Sequence, residues 1–572
     1  MEFNTPGADS GLRDALMRAS LLVSADSEGL SDALEVFAIA RVEYGRLIGV
    51  LYEAARYSGT ISVLVNGREV AEMSPLDPPA QIGTIEITVN PGPEFAFARA
   101  EIAPLVPGTA PRAGFATGAP ARSTTVRDAA RDAIDDWRDI GHAKAEPAGQ
   151  DVVADHRTQL LDAAISLRPG PRLRFGALSV AGNENVREAR IRTIAGLPTG
   201  EVFSPDAARR SADRLRRTGA FASVALREAE VPNPDGTLDF DVSVVEAPPR
   251  RIGAGAEYDT EDGVRLSAFW MHRNLLGGAE RLRIEGEVGG LGARSGGMDY
   301  RLSGTYTRPA TITPDTALSV GVLLESEDER DFEARRARVS VGLTHIFSDT
   351  LTGDAAIAYQ FERARFGTAR AQRANFSTVK LPLGLTWDRR DDALDPTRGF
   401  YLAGTATPFL GLRDADSGAQ ATLDARAYYS VDAEGRYVLA GRAQAGVVIG
   451  ADIARTPRAM LFYSGGGGTV RGQPFRSLGV TVGGVSSGGQ GFAALSGEVR
   501  AGVTGTISLV AFADAGRVSE GAFSGASDWH AGAGLGLRYD TAVGPLRLDL
   551  GFPVQGATGS GMQIYIGIGQ AF

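Results

Sequence analysis

Beyond Arg251 the chain alternates. RLRIEGEVGG (281–290) sets Leu282, Ile284 and Val288 against Arg281, Arg283, Glu285 and Glu287. PLRLDLGFPV (545–554) sets Leu546, Leu548, Leu550 and Phe552 against Arg547 and Asp549, and IYIGIGQAF (564–572) keeps Ile564, Ile566, Ile568 and Phe572 on one parity. Successive strand side chains point to opposite faces, so a period of two puts charge on one side and aliphatics on the other. Repeated over many segments, this is the pattern of an antiparallel barrel with lipid outside and water inside. A soluble sandwich alternates too, but needs shorter strands and a second sheet. At ~20 residues per strand plus connection, residues 252–572 give about 16 strands, an even number. No run approaches the ~18 apolar residues of a spanning helix, which excludes a helical membrane protein and leaves a barrel open.

The first part of the chain repeats itself. PGPEFAFARAEIA (91–103) and PGPRLRFGALSVA (169–181) share Pro-Gly-Pro, then Phe97 and Phe175, then Ile102 and Val180, at an offset of 78. The same offset relates Trp137–Gly141 to Leu215–Gly219, and a further step from Gly170 reaches Pro248, where the chain changes character. Units of 1–92, 93–170 and 171–247 ahead of a barrel over 248–572 follow. In the third, Leu173–Ala181 reads as a strand. Asn185 is placed to cap a helix ending at Gly196, and Ser204 with Pro205 starts a second helix ending at Gly219. Two strands joined by PDG (234–236) complete a β-α-α-β-β order. The same order is expected of the second unit, although its glycines and prolines weaken the first helix, and of the first, with helices around 12–22 and 31–55 and strands ISVLVNG and TIEITVN.

The rest is largely exclusion. A net charge of −10 argues against a nucleic-acid binder. With no cysteine there are no disulfides or thiolate sites, and the five histidines are scattered without metal spacing, so neither metal nor cofactor is expected. The start of the chain shows no basic region followed by an apolar stretch, so any export signal is expected to have been removed or omitted. GVSSG (484–488) matches a serine-hydrolase elbow at Ser486, but the motif needs a following helix, and GGQGFAALSGEV reads as a strand. An outer-membrane hydrolase is therefore the remote alternative.

Several stretches together resemble a known family. LRRTGAFASVAL (215–226) is similar to the helix-end and strand signature of POTRA domains. WDRRDDALDPTRGFY (387–401) resembles the D-x-R-D…P-x-x-G hairpin of the BamA/TamA superfamily of outer-membrane assembly factors, at Asp388, Arg390, Asp391, Pro396 and Gly399. SGGGGTVRGQPFRSLG (464–479) resembles that superfamily's V-R-G-Y/F loop through Val470, Arg471 and Gly472, and AFADAGRV (511–518) its F-x-D-x-G strand. Three POTRA units with a barrel of this size are most similar to the TamA branch. The resemblance implies a loop folded into the lumen, with Arg471 meeting Asp514 and, second, Glu498. It also implies a lateral seam between the first and last strands, around Gly253, Ala256, Ile566, Gly567 and Phe572. From it follow insertion of β-barrel or autotransporter clients, an outer-membrane location with POTRA domains in the periplasm, contact with outer-membrane lipid, and a TamB-like partner at the first unit. Two-partner secretion transporters share the barrel and loop but usually carry two POTRA units. Two positions depart from the family: Gln473 stands where an aromatic is usual, and Gln570 where an apolar residue is usual.

Overall fold

A computed structural model describes residues 1–572 apart from 31, 77, 260–262, 293–296, 330–331, 483, 523, 526, 543, 557 and 560. Two compact units emerge, Met1–Ser179 with Leu197–Arg209 and Arg227–Asp241, and Val180–Gly196 with Arg210–Leu226 and Val242–Phe572.

The first unit begins with helices Ser10–Ala19, Leu21–Ser27 and Ala33–Glu53 over a four-stranded sheet. The stretch expected as one helix over 12–22 is broken at Ser20, whose hydroxyl accepts from the Val23 N–H and starts the next helix instead. Ser31, at the start of the expected 31–55 helix, lies outside the described residues. Val36, Phe37, Ala40, Leu47 and Leu51 form the inner stripe of the long helix and meet Val63, Val65, Ile87 and Val89 from the sheet. The second repeat differs from the expected order. It has one helix, Ser123–Asp139, over a sheet of Ala96–Ala103, Leu160–Arg168 and Glu146–Asp155, and no helix among 104–122. That stretch carries too many glycines and prolines to keep a helical hydrogen-bond ladder.

The third repeat has helices Glu188–Ala195 and Pro205–Arg217 and strands Arg174–Ala181, Phe221–Glu228 and Thr237–Glu246 in one sheet. Gly196 ends the first helix at φ +54. Asn185 does not cap it. Its amide donates to Glu246 (3.0 Å), whose carboxylate also gathers the N–H groups of Glu184, Asn185 and Val186 at 2.7–2.9 Å. Burial pushes the Glu246 carboxyl up, but these donors outweigh it and hold it below the usual glutamate range.

From Arg250 the sheet closes on itself. Of its seventeen strand segments, Gln372–Lys380 and Leu383–Asp388 are two halves of one strand interrupted at Leu381–Pro382, since both lie between Leu351–Phe366 and Gly399–Arg413. Among the described residues the barrel therefore has sixteen antiparallel strands. Its outer face carries Leu302, Ile357, Leu495, Leu509, Leu535 and Ile566, each at least half exposed, while Glu498, Arg538 and Asp549 on the inner face are at most 4% exposed. That inversion of the soluble pattern suits lipid outside. Leu548 and Phe552 face outward as the alternation requires, but Phe572 does not. Its strand ends at Ile568, Gly569 turns at φ +86, and Phe572 is buried beside Tyr428 and Ala440.

A candidate functional site in the barrel lumen

The connection between strands Tyr437–Ile449 and Gly491–Gly502 is the long one, residues 450–490. Short 3-10 turns at Ile453–Arg455 and Arg458–Met460 and a small hairpin of Val480–Val482 with Val485–Ser487 shape it. Ser486 sits in that hairpin, and the next element is a barrel strand, so the hydrolase elbow is absent.

The loop lies against the inner wall because the wall is cut away where it passes. A Cβ on Gly532 would fall 1.8 Å from the Arg471 carbonyl, and one on Gly551 would fall 2.7 Å from the Gly472 nitrogen. Gly472 itself, at φ +89, leaves no room for a side chain against the Phe552 backbone. Val470, Arg471 and Gln473 are at most 2% exposed.

Arg471 meets three strands at once. Its backbone N–H and Nε donate to Asp514 Oδ2 (3.0 and 2.7 Å) and its Nη2 to Asp514 Oδ1 (2.9 Å), a bidentate fork on one carboxylate. Nη1 donates to Glu498 (2.6 Å) and reaches Asp549 (3.4 Å). The guanidinium plane lies 3.7 Å from the centroid of Phe512. Two of the acids have other cations: Glu498 accepts from Arg500 (2.9 Å) and Asp549 from Arg538 (2.6 Å). Asp514 has Arg471 alone among the described residues. The structure thus brings together Arg471, Asp514 and Glu498, and adds Asp549. The signal for Asp549 was present, since PLRLDLGFPV puts it on the charged face.

Two further ties were missed in the sequence. Arg476 pairs with Glu329 (2.7 Å) and Glu327 (3.7 Å), and Arg458 donates its N–H to Glu362 (2.8 Å) and stacks over Phe366. No local motif marks either pair, because the acids lie more than ninety residues away in sequence. Gln473 fills its buried position through polar contacts: its amide donates to the carbonyls of Ala531 (2.8 Å) and Gln555 (3.1 Å), and its oxygen accepts from the Thr558 N–H and hydroxyl, each at 3.1 Å.

The hairpin residues gather around the turn 389–398. Arg390 forks onto Asp388 at 2.8–2.9 Å, and Asp391 ties back to Thr397 and Arg398. At the seam, the first strand Arg250–Asp259 pairs with the second along its whole length, from Arg250 opposite His272 to Asp259 opposite Gly263. On its other edge, among the described residues, Asp259 alone is paired, with Tyr565 of the last strand Gln563–Ile568. Among the described residues, Gly253 and Ala256 have no partner across the seam, and Ile566 and Gly567 pair with Leu548 and Arg547 alone. Phe572 lies outside both ladders.

A sixteen-stranded barrel plugged from within by an arginine-held loop, preceded by small α+β repeats, defines a class of outer-membrane protein. The Omp85 superfamily domain matches residues 274–572, and a POTRA repeat of the surface-antigen variable-number type matches 173–247; the chain belongs to the Omp85 superfamily. It is accordingly an outer-membrane barrel with periplasmic POTRA domains, in a family of assembly factors and transporters rather than enzymes. The chain is similar to the outer membrane protein assembly factor BamA of Nitratidesulfovibrio vulgaris, 24% identical over 442 residues, covering 73% of this chain and 53% of that one. It thus spans about half the length of that relative. In fold it is similar to BamA from Haemophilus ducreyi lacking POTRA domains 1–3 (TM-score 0.61, 17% identity, 79% of this chain and 94% of that one). It is also similar in fold to CdiB from Acinetobacter baumannii (TM-score 0.53, 11% identity, 84% and 90%).

Proposed function

We propose that the barrel assists insertion of β-barrel or autotransporter clients into the outer membrane by parting between its first and last strands, while Arg471 holds the lumen loop in place. The observation that carries this is the seam. Neighbouring strands elsewhere are registered over six or more residues, whereas among the described residues one pair, Asp259 with Tyr565, joins the first strand to the last. At about 1 kcal/mol per ladder hydrogen bond, parting it costs only ~1–2 kcal/mol, and it exposes N–H and C=O groups that a client strand can pair with. The last strand has 6 residues, short of the ~9–11 that cross a bilayer, which weakens its hold on lipid as well. No nucleotide or metal is needed. Clients are received from the periplasm along the POTRA units, and the first unit is the place for a TamB-like partner.

A second reading, a polypeptide transporter of the two-partner secretion kind, is supported by the likeness in fold to CdiB. One experiment separates them. Vesicles carrying the protein are mixed with a urea-unfolded outer-membrane barrel as client. Faster appearance of folded client in the bilayer supports insertion. Passage of the client through the membrane into the opposite compartment supports transport, and no acceleration refutes the insertion reading.

A further inference from the structure

We infer that the turn bearing the D-x-R-D…P-x-x-G signature is a clamp for residues 569–572, and that Gln570 is the positioning residue through which this clamp, rather than the seam ladder, keeps the last strand closed. The inference deepens the seam reading above and rests on it.

The turn is shaped from inside by its own carboxylates. Asp391 accepts from the N–H groups of Asp392 (3.0 Å), Thr397 (3.0 Å) and Arg398 (3.2 Å) and from the Thr397 hydroxyl (2.5 Å). Asp392 accepts from the N–H groups of Leu394 (2.7 Å) and Asp395 (2.8 Å). Gly399, at φ +96, closes the turn where a Cβ would fall 2.0 Å from the Arg389 carbonyl. What the turn offers is three acceptors, and each is engaged. The Gln570 N–H donates to Leu394 O (3.0 Å), and its side-chain amide donates to Asp395 Oδ1 (2.8 Å). Arg500 donates from Nη1 to Pro396 O (3.2 Å) and from Nη2 to Phe572 O (3.3 Å).

Gln570 works in both directions. Its oxygen accepts from Arg538 Nε (2.8 Å), and Arg538 donates to Asp549, the acid that also faces Arg471. An amide is the side chain that can donate to a carboxylate and accept from a guanidinium at once; an apolar residue breaks both bonds, and a glutamate repels Asp395. Two continuous paths therefore join the loop to the clamp, Arg471–Asp549–Arg538–Gln570–Asp395 and Arg471–Glu498–Arg500–Phe572. Residues 569–572 continue directly from the last strand, and beyond Tyr565 no described residue of that strand pairs across the seam, so the clamp is the stronger tie at that end. Releasing it leaves 566–568, which stand in register with 258, 257 and 256 but are not paired with them, free to move away from the first strand.

The chain has no cysteine, so Ala256→Cys with Ile568→Cys gives two unique spin-label sites. In the full-length protein in lipid vesicles, double electron–electron resonance reads the separation of the two strands. Gln570→Glu is expected to raise the long-separation population about fivefold, the worth of one lost hydrogen bond. Adding Asp395→Asn is expected to restore the parent distribution, because the asparagine amide donates to the new glutamate. Should Gln570→Glu fail to give a compact barrel band on an unheated gel, Asp395→Ala, which removes only the acceptor, is read the same way. An unchanged distribution in the single variant, or a double variant more open than the single, overturns the clamp. Failure of the seam reading shows elsewhere: a crosslinked seam would leave client insertion intact whatever the distances do.

Discussion

Removing Arg471 tests the lock most sharply, because the three acids around it are not equivalent. In Arg471→Ala, Glu498 keeps Arg500 and Asp549 keeps Arg538, so the charge left stranded is Asp514. The side chains of Arg471 and Asp514 are 3% and 1% exposed, which places the pair in the buried regime, where breaking it costs about 3–5 kcal/mol, rather than the ~0–1 kcal/mol of a surface pair. Loss of the Phe512 face adds about 1–2 kcal/mol on the arginine side alone. Asp514→Ala leaves Arg471 with Glu498 and Asp549, so its cost falls at the lower end of the range. The double variant should be little worse than Arg471→Ala, giving a coupling of about 3 kcal/mol. Arg471→Lys keeps the charge but not the fork and should lose ~1.5–3 kcal/mol. Unfolding in lipid vesicles, followed by gel mobility without heating, gives the energies, and amide hydrogen exchange across 464–479 reports the loop. Defects of the two single variants that add to within ~0.5 kcal/mol would show that the residues do not act as a pair.

Other outcomes follow from the same geometry. A soluble fragment of residues 1–247 is expected to fold alone, and a disordered circular-dichroism spectrum would refute the modular division. The lowered Glu246 pKa means its share of that fragment's stability is present above the usual glutamate value near 4.5 and is lost as pH falls through the lower folded value. Glu246→Gln should therefore make the acid-side decline of the melting temperature shallower. Gln473→Phe, which restores the aromatic usual in the family, should loosen the loop by about 1–3 kcal/mol by removing the buried amide's four hydrogen bonds and leaving the half-buried Thr558 N–H without its acceptor; unchanged exchange protection at 464–479 would count against it.

How much of this was legible beforehand depends on the range of the interactions. The barrel follows from a period of two, which every segment carries by itself, and its strand number from the length of 252–572 at ~20 residues per strand. Arg471 with Asp514 could be matched because both sit in short motifs, and Asp549 could have been read from its parity. Arg476 with Glu329 and Arg458 with Glu362 could not, because nothing local distinguishes those acids from other inward-facing ones. The inward turn of Phe572 escaped because parity predicts side-chain direction only while the strand continues, and Gly569 ends it. Gln473 and Gln570 looked like departures from a pattern; one is a buried and the other a half-buried amide, and the donors and acceptors of each are matched by residues distant in sequence.

The central claim is that clients leave through the seam, and one disulfide tests it. Continuing the antiparallel register set by Asp259 and Tyr565, Ala256 would come opposite Ile568. Cysteines at these positions, oxidised in the full-length protein in vesicles, should stop acceleration of client insertion while the barrel stays folded, and a reductant should restore it. Full acceleration with the seam crosslinked would contradict the account.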